Sequence, residues 1–178
     1  METIAPHGGV LVNREVAGAE RDALVARAAT LPVITLDERQ MSDLEMIAIG
    51  AFSPLTGFMG QADYTRVVEE MRLANGLPWT IPVTLAVSSD VAASIEPGTE
   101  VALADPAGRI LAVMTVEDRF TYDKANECEK VYRTTDEAHP GVAAVLAQGD
   151  VFLGGLVSLV NRPANPEFPE YRLDPAAV

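Results

Sequence analysis

The stretch Glu100-Val-Ala-Leu-Ala-Asp-Pro-Ala-Gly-Arg-Ile-Leu-Ala-Val-Met-Thr-Val116 decides the fold of this chain. Residues 100–104 and 109–116 are apolar and partly β-branched, a composition that favours strands. Between them, Asp105-Pro-Ala-Gly108 places Asp, Pro and Gly at the first, second and fourth positions that a type I turn favours. The stretch therefore predicts two antiparallel strands joined in a hairpin.

Further strands lie on both sides of this hairpin in the sequence. Pro82-Val-Thr-Leu-Ala-Val87 is rich in strand-forming residues, and Glu96-Pro-Gly-Thr99 is typical of a turn. Asp150-Val-Phe-Leu-Gly-Gly-Leu-Val-Ser-Leu-Val160 predicts a buried closing strand. The pair Gly154-Gly155 inside it indicates a bulge or a place where another backbone packs closely.

Helix signals dominate the first part of the chain. Helices are predicted at residues 18–30, 37–49, 62–73 and 124–132, with a short one after Pro140 and a short strand at 32–36. Pro32, Gly50 and Asn75-Gly76 end the first three helices. The third helix is expected to bury the face formed by Tyr64, Val67, Val68 and Met71.

Helices followed by strands argue against an alternating parallel sheet. The predicted class is α+β, a mixed domain with an antiparallel sheet or a partly closed β-barrel flanked by helices. A tail follows, in which prolines recur at Pro163, Pro166, Pro169 and Pro175. We therefore expect a domain over residues 1–162 and a Pro-rich linker or extended arm over 163–178.

The charge of the chain excludes some classes of partner. Thirteen basic residues against twenty-six acidic ones give a net charge of −13 over 178 residues. Such a surface repels nucleic-acid phosphates and anionic membranes, so neither partner is expected. There is no apolar stretch of membrane-spanning length, no secretory signal pattern and a single cysteine, Cys128. These features predict a cytoplasmic protein.

The sequence predicts no cofactor, metal or phosphate site in this chain. Neither Gly8-Gly9 nor Gly154-Gly155 has the length or the following Lys-Ser or Lys-Thr of a phosphate loop. His7 and His139 lie far apart, and Cys128 has no other Cys or His at ligand spacing. Because Cys128 also stands between two glutamates, we expect a buried, unreactive thiol.

The most polar constellation is Thr135-Asp-Glu-Ala-His-Pro-Gly-Val142, and it has two interpretations. In the functional one, His139 is an acid or base oriented by Asp136. In the structural one, Thr135 or Asp136 caps a helix or turn, Pro140 starts a helix, and His139 bonds nearby backbone groups. We favour the structural interpretation, because no nucleophile can be assigned to the motif. No catalytic residue is therefore predicted.

The loop Phe52-Ser-Pro-Leu-Thr-Gly-Phe-Met59 combines turn residues with four large apolar side chains. A loop this apolar is expected to bury itself against its own domain or a partner surface. We predict a packed connection that is not catalytic.

The ordered set of these motifs resembles the N-terminal, PUA-like domain of the ATP sulfurylase (sulfate adenylyltransferase) family. The landmarks are Pro6-His-Gly-Gly9, residues 36–45, 52–59, 76–85, 116–118 and 134–142, and Val151-Phe-Leu-Gly-Gly155. One departure is Arg133, where the family pattern generally places glycine.

The resemblance implies a parent enzyme that makes adenylyl sulfate and pyrophosphate from ATP and sulfate, with magnesium accompanying the nucleotide. The family's reactive Gln-x-Arg-Asn and His-x-x-His motifs belong to the next domain, and neither occurs here. No family catalytic residue carries over, so the chain alone is expected to be inactive. The implied partner is the sulfurylase catalytic domain in cis, and a homo-oligomer through the parent is compatible with it.

Two alternatives stay open at this stage. One is a free-standing interaction or regulatory module derived from the same domain. The other is an RNA-binding module, since PUA-like folds also occur in RNA-binding proteins, although the acidic charge disfavours it.

Overall fold

The computed structural model of the chain describes residues 4–164 and 168–178. The α-helices are α1 Gly18–Ala28, α2 Glu38–Ala48, α3 Gln61–Glu70, α4 Ser89–Ala93, α5 Lys124–Glu127 and α6 Pro140–Ala147. The strands are β1 Val33–Thr35, β2 Gly57–Phe58, β3 Leu85–Val87, β4 Glu100–Ala104, β5 Ile110–Thr121 and β6 Val151–Leu159. A π-helix, Cys128–Tyr132, follows α5, and short 3-10 turns occupy Pro169–Tyr171 and Pro175–Ala177.

The described strands form one mixed sheet in the order β1-β4-β5-β6-β2, with β3 also paired to β6. The pairs β4–β5, β3–β6 and β2–β6 are antiparallel, whereas β1 runs parallel to β4. The α+β class with helices flanking the sheet is confirmed, and the sheet is open. The parallel β1 is what makes the sheet mixed, and α2, β2, α3, β3 and α4 separate it from β4 along the chain, a connection long enough for parallel pairing.

The predicted hairpin is present. The Gly108 N–H donates to the Asp105 carbonyl at 2.9 Å, and Asp105 Oδ1 accepts from the N–H groups of Ala107 and Arg109 at 3.0 and 2.9 Å. Gly108 has a φ of +83°, which glycine adopts without strain. β5 continues to Thr121, beyond its predicted end at residue 116.

The chain divides into two compact units, and β5 and β6 each run through both. Unit 1 contains the residues up to Phe58, 99–115 and those from Gly155 on. Its core packs Ala28 of α1 against Ala102 of β4 and Val113 of β5. α2 begins with a reciprocal cap, in which the Asp37 carboxylate accepts from the Gln40 N–H and the Gln40 side chain accepts from the Asp37 N–H.

The loop over residues 52–59 is packed, as predicted. Ser53 is buried, accepts from the Val12 N–H at 2.9 Å and donates to the Gly50 carbonyl at 2.7 Å. Gly57 lies so close to Gly155 that an added Cβ would stand 1.8 Å from the Gly155 carbonyl oxygen. The close backbone approach expected at Gly154-Gly155 is therefore confirmed. The two-residue strand β2 was not predicted, because it is too short to show a period.

Unit 2 contains residues 59–98 and 116–154. Its core includes an aromatic cluster of Tyr64, Phe120 and Phe152, against which Tyr122 packs. The Tyr122 and Phe152 rings stack with centroids 3.8 Å apart. An added Cβ on Gly154 would stand 2.5 Å from the Gly60 Cα, so this glycine too is required by close packing.

Several boundaries in unit 2 differ from the predictions. The third helix ends at Glu70, and Met71 turns left-handed at φ +54° with 38% of its surface exposed, so its place on the buried face was wrong. β3 covers residues 85–87 only, and α4 was not predicted. The segment 124–132 is helical as predicted, but its second half is a π-helix. Pro166 of the predicted tail lies outside the described residues.

Candidate functional site

A buried polar contact in unit 2 joins α3 to the end of α5. The Tyr64 hydroxyl donates to Glu127 Oε2 at 2.9 Å, and the two side chains are 7% and 4% exposed. Burial raises the pKa of the Tyr64 phenol, and the Glu127 charge raises it further. Because each group satisfies the other inside the aromatic cluster, this pair serves to hold α3 and α5 together.

Unit 2 also has an open cavity of about 560 Å³, lined in part by Gln61, Ser89, Glu96 and Arg119. Its cation is already engaged. Arg119 Nη1 donates to the carbonyls of Ala92 and Ile95, each at 2.9 Å, and lies 3.2 Å from Glu96 Oε1. These bonds satisfy carbonyls at the end of α4, so the one basic side chain among the described lining residues is already engaged.

Residues 134–142 form caps of the kind that the structural interpretation expects. His139 Nδ1 accepts from the Gly141 N–H at 3.1 Å and caps α6, which Pro140 begins. Asp136 Oδ1 accepts from the Ala138 N–H at 2.9 Å, so Asp136 caps a turn. The capping hydroxyl belongs to Thr134, which accepts from the Asp136 N–H at 3.1 Å, and not to the predicted Thr135.

Cys128 is buried at the start of the π-helix, where it packs with Val142 and Val145 of α6. Burial raises the pKa of its thiol, and the Glu127 carboxylate acts in the same direction. Both effects disfavour the thiolate, the form that reacts. The prediction of an unreactive thiol therefore fits its surroundings.

Unit 1 carries a charged cluster around Arg162. Its guanidinium donates to both Glu15 oxygens at 2.5 and 2.6 Å, and to both Asp174 oxygens at 2.9 and 2.6 Å. These bonds lower the pKa of Asp174 and raise that of Arg162. We call these three side chains the Arg162 clamp. The clamp joins Arg162, three residues after the end of β6, to the segment 168–178, which we call the arm.

A polar cleft of about 340 Å³ lies beside the clamp, lined in part by Glu15, Arg21, Arg109 and Arg162. Arg21 donates to the Val160 carbonyl at 2.7 Å and to Asn161 Oδ1 at 2.7 Å. The cleft is thus built around the chain as it leaves β6. Most of its charged groups bind other parts of unit 1.

The arm exposes an unusual amount of apolar surface. Phe168, Tyr171 and Leu173 are 67%, 79% and 66% exposed. In contrast, Tyr64, Phe120 and Phe152 of the aromatic cluster in unit 2 are each at most 7% exposed. Exposed large side chains that are close in sequence mark a surface for contact rather than for chemistry.

The described residues offer little to a metal or a polyanion. They include no group of three or more His, Cys, Asp or Glu side chains placed to hold a metal ion. Among the described residues, at least seven Lys and Arg side chains pair with a carboxylate. Within the described part of the chain, the helices are all too short or too polar to cross a membrane.

Comparison with known proteins places these features in a family. The PUA-like domain family matches residues 4–162. The sulfate adenylyltransferase of Symbiobacterium thermophilum is 59% identical over 173 residues, which cover 97% of this chain and 44% of that protein. The enzyme of the same name from Synechocystis is 52% identical over 177 residues, covering 99% of this chain and 45% of that protein.

Among solved structures, a hexameric APS kinase from Thiobacillus denitrificans matches 99% of this chain with a TM-score of 0.76 and 33% identity. The match covers 30% of the solved chain. The present chain spans less than half the length of the curated relatives described above. It belongs to the PUA-like domain family and corresponds to the N-terminal part of sulfate adenylyltransferases.

Proposed function

We propose that this chain is the non-catalytic PUA-like domain of a sulfate adenylyltransferase. The whole enzyme would transfer an adenylyl group from ATP to sulfate, forming adenylyl sulfate and pyrophosphate in the cytoplasm. The role of this domain is to brace the catalytic domain that follows it in the same polypeptide.

One observation carries the proposal. Identity of 52–59% extends over almost the entire chain to proteins named sulfate adenylyltransferase, yet the chain spans only 44–45% of their length. Identity at this level over a whole domain supports the same parent enzyme. The uncovered half of the relatives leaves room for a separate catalytic domain.

The polar groups of the chain support a bracing role. His139, Asp136 and Arg119 are engaged with backbone groups, and Arg162 with two carboxylates. Adenylyl transfer to sulfate needs uncompensated positive groups near the developing charge. Among the described residues, no group of three or more His, Cys, Asp or Glu side chains is placed to hold a metal ion. We therefore assign nucleotide and metal to the remainder of the enzyme.

The first test measures the purified chain alone. ATP formation from adenylyl sulfate and pyrophosphate should be absent, and ATP should not bind at micromolar concentration. Measurable turnover by the isolated chain would overturn the proposal.

The second test restores the missing part. Residues 1–178 replace the matching segment of the Symbiobacterium enzyme, and the chimera is assayed in the same direction. We expect a turnover number within about tenfold of the parent enzyme, since the replaced domain supplies no reacting group. A folded but inactive chimera would contradict the proposed family function.

A further inference from the structure

The arm presents three exposed apolar side chains within six residues, Phe168, Tyr171 and Leu173. Two of them are aromatic, the class most enriched where proteins contact one another. Exposing such side chains to water is unfavourable, so a segment that gathers them is expected to be covered in the functional assembly.

The path of the arm is held by the Arg162 clamp. Asp174, one residue from Leu173, makes two hydrogen bonds to the Arg162 guanidinium, which also binds Glu15 in the chain before α1. Two planar, two-pronged contacts on one guanidinium define an orientation as well as a distance. The arm is therefore tied to unit 1 while its apolar side chains point into solvent.

The relatives indicate what covers the arm. The match to the Synechocystis enzyme takes in 99% of this chain, so it includes the arm, and more than half of that protein lies beyond the matched segment. Because this chain corresponds to the N-terminal part of such enzymes, the arm adjoins the rest of the polypeptide.

We propose that the arm, residues 168–178, is a docking segment. Its apolar side chains are covered by the catalytic part of the sulfate adenylyltransferase polypeptide, and the Arg162 clamp sets its position for that contact. The inference rests on the proposed function and names the surface through which bracing occurs.

Amide hydrogen exchange tests this directly in the isolated chain and in the chimera with the Symbiobacterium enzyme. We expect exchange of arm amides to slow at least about tenfold in the chimera, because covered segments open less often. Equal exchange rates of the arm in the two proteins would overturn the proposal.

Paired substitutions locate the effect in the side chains. Tyr171→Ser with Leu173→Ser should return arm exchange in the chimera to the isolated-chain rate, while leaving the melting temperature of the isolated chain unchanged. Ile81→Ser is the matched control, since Ile81 is 53% exposed and belongs to unit 2. Loss of arm protection in the control as well would contradict a specific docking segment.

A further substitution tests whether the Arg162 clamp positions the arm. Asp174→Asn weakens both bonds to Arg162 and should speed arm exchange in the isolated chain several-fold, with amides of α2 unaffected. Unchanged exchange rates of the arm amides would show that Arg162 does not position the arm.

Failure of this inference is distinguishable from failure of the proposed function. An active chimera with an unprotected arm refutes docking alone, whereas turnover by the isolated chain refutes the proposed function. If the chimera does not fold, residues 163–178 alone are grafted into the Symbiobacterium enzyme. Amide exchange of the grafted arm then decides whether the arm docks. Protection of the grafted arm that the two serine substitutions remove would support docking, and its absence would refute it.

Discussion

The main polar contact of unit 2 and the ionic clamp of unit 1 differ in how far they are exposed. Unit 2 buries a carboxylate–phenol pair, Glu127 and Tyr64, inside an aromatic cluster. Unit 1 keeps its strongest ionic contact at the surface, around Arg162, and leaves the aromatic residues of the arm in solvent. The exposed apolar side chains of the arm are the ones assigned above to the proposed docking contact, whereas the aromatic cluster of unit 2 is already packed. Four substitutions sharpen or break this comparison.

The largest effect is expected from Phe152→Ala in unit 2. Phe152 is fully buried among aromatic rings, so its truncation removes packing and leaves a cavity. The free energy of unfolding should fall by about 3–5 kcal/mol, measured by urea denaturation. Phe168→Ala in the arm is the matched control and should change it by less than about 0.5 kcal/mol. Similar decreases in the free energy of unfolding of both variants would contradict the difference in packing between unit 2 and the arm.

Tyr64→Phe removes the donor to the buried Glu127 carboxylate. The free energy of unfolding should fall by about 1.5–3 kcal/mol, the range for a hydrogen bond to a charged group. Tyr171→Phe, in the exposed arm, should be neutral in the isolated chain. Tyr64→Phe should also abolish the change of stability with pH that arises from ionisation of the Tyr64 phenol. The pKa of Tyr64 is higher in the folded than in the unfolded state. The protonated phenol therefore contributes fully to the free energy of unfolding below about pH 10, the pKa in the unfolded state, and this contribution declines as pH rises further.

Asp43→Asn tests a carboxylate of α2 in unit 1. Burial raises the pKa of Asp43 from 3.8 to about 6, against the opposing effect of Arg39. The folded state therefore loses stability as pH rises from about 4 to 6 and bears the full penalty above that. The variant should be more stable by about 1–2 kcal/mol at pH 7 and nearly equal to the parent at pH 4. Glu38→Gln, an exposed acid of the same helix, is the control; a similar gain there would contradict burial as the cause.

The smallest effect concerns Arg133, which is left-handed at φ +59° after the π-helix. A side chain in this conformation is strained, so Arg133→Gly should raise the free energy of unfolding by about 0.5–1 kcal/mol. Arg72→Gly, at an exposed arginine of the same unit without positive φ, should lower it instead. Thermal melts of both variants compare the two. A lower free energy of unfolding in Arg133→Gly would show that the left-handed backbone at residue 133 is not strained.

Much of the fold could be predicted because its signals are local. Turn chemistry at Asp105 and Gly108 and helical spacing in α2 each depend on residues a few positions apart. The left-handed conformation of Arg133 was not predicted, although glycine is the usual residue of the family pattern at that position. The end of α3 was predicted wrongly because Met71 is as good a helix former as its neighbours, whereas the structure ends the helix at Glu70 with Met71 left-handed.

The candidate surfaces were less predictable. The Tyr64–Glu127 bond joins residues 63 positions apart, and the Arg162 clamp joins Glu15 and Arg162 across 147 positions. Neither residue pair has a spacing that indicates contact. The Pro-rich tail was expected as an arm or linker, but composition does not state which of its side chains are exposed.

The sequence by itself determined the class of fold, the family and the lack of catalytic motifs, because these follow from local propensity and from ordered short motifs. Only the tertiary structure decided that β1 pairs parallel with β4, that Gly57 and Gly154 admit no side chain, and that Glu127 is buried beside a phenol. Those outcomes depend on segments distant in sequence meeting at van der Waals distance. Such meetings are selected by the packing of a whole core, and no short window of sequence contains them.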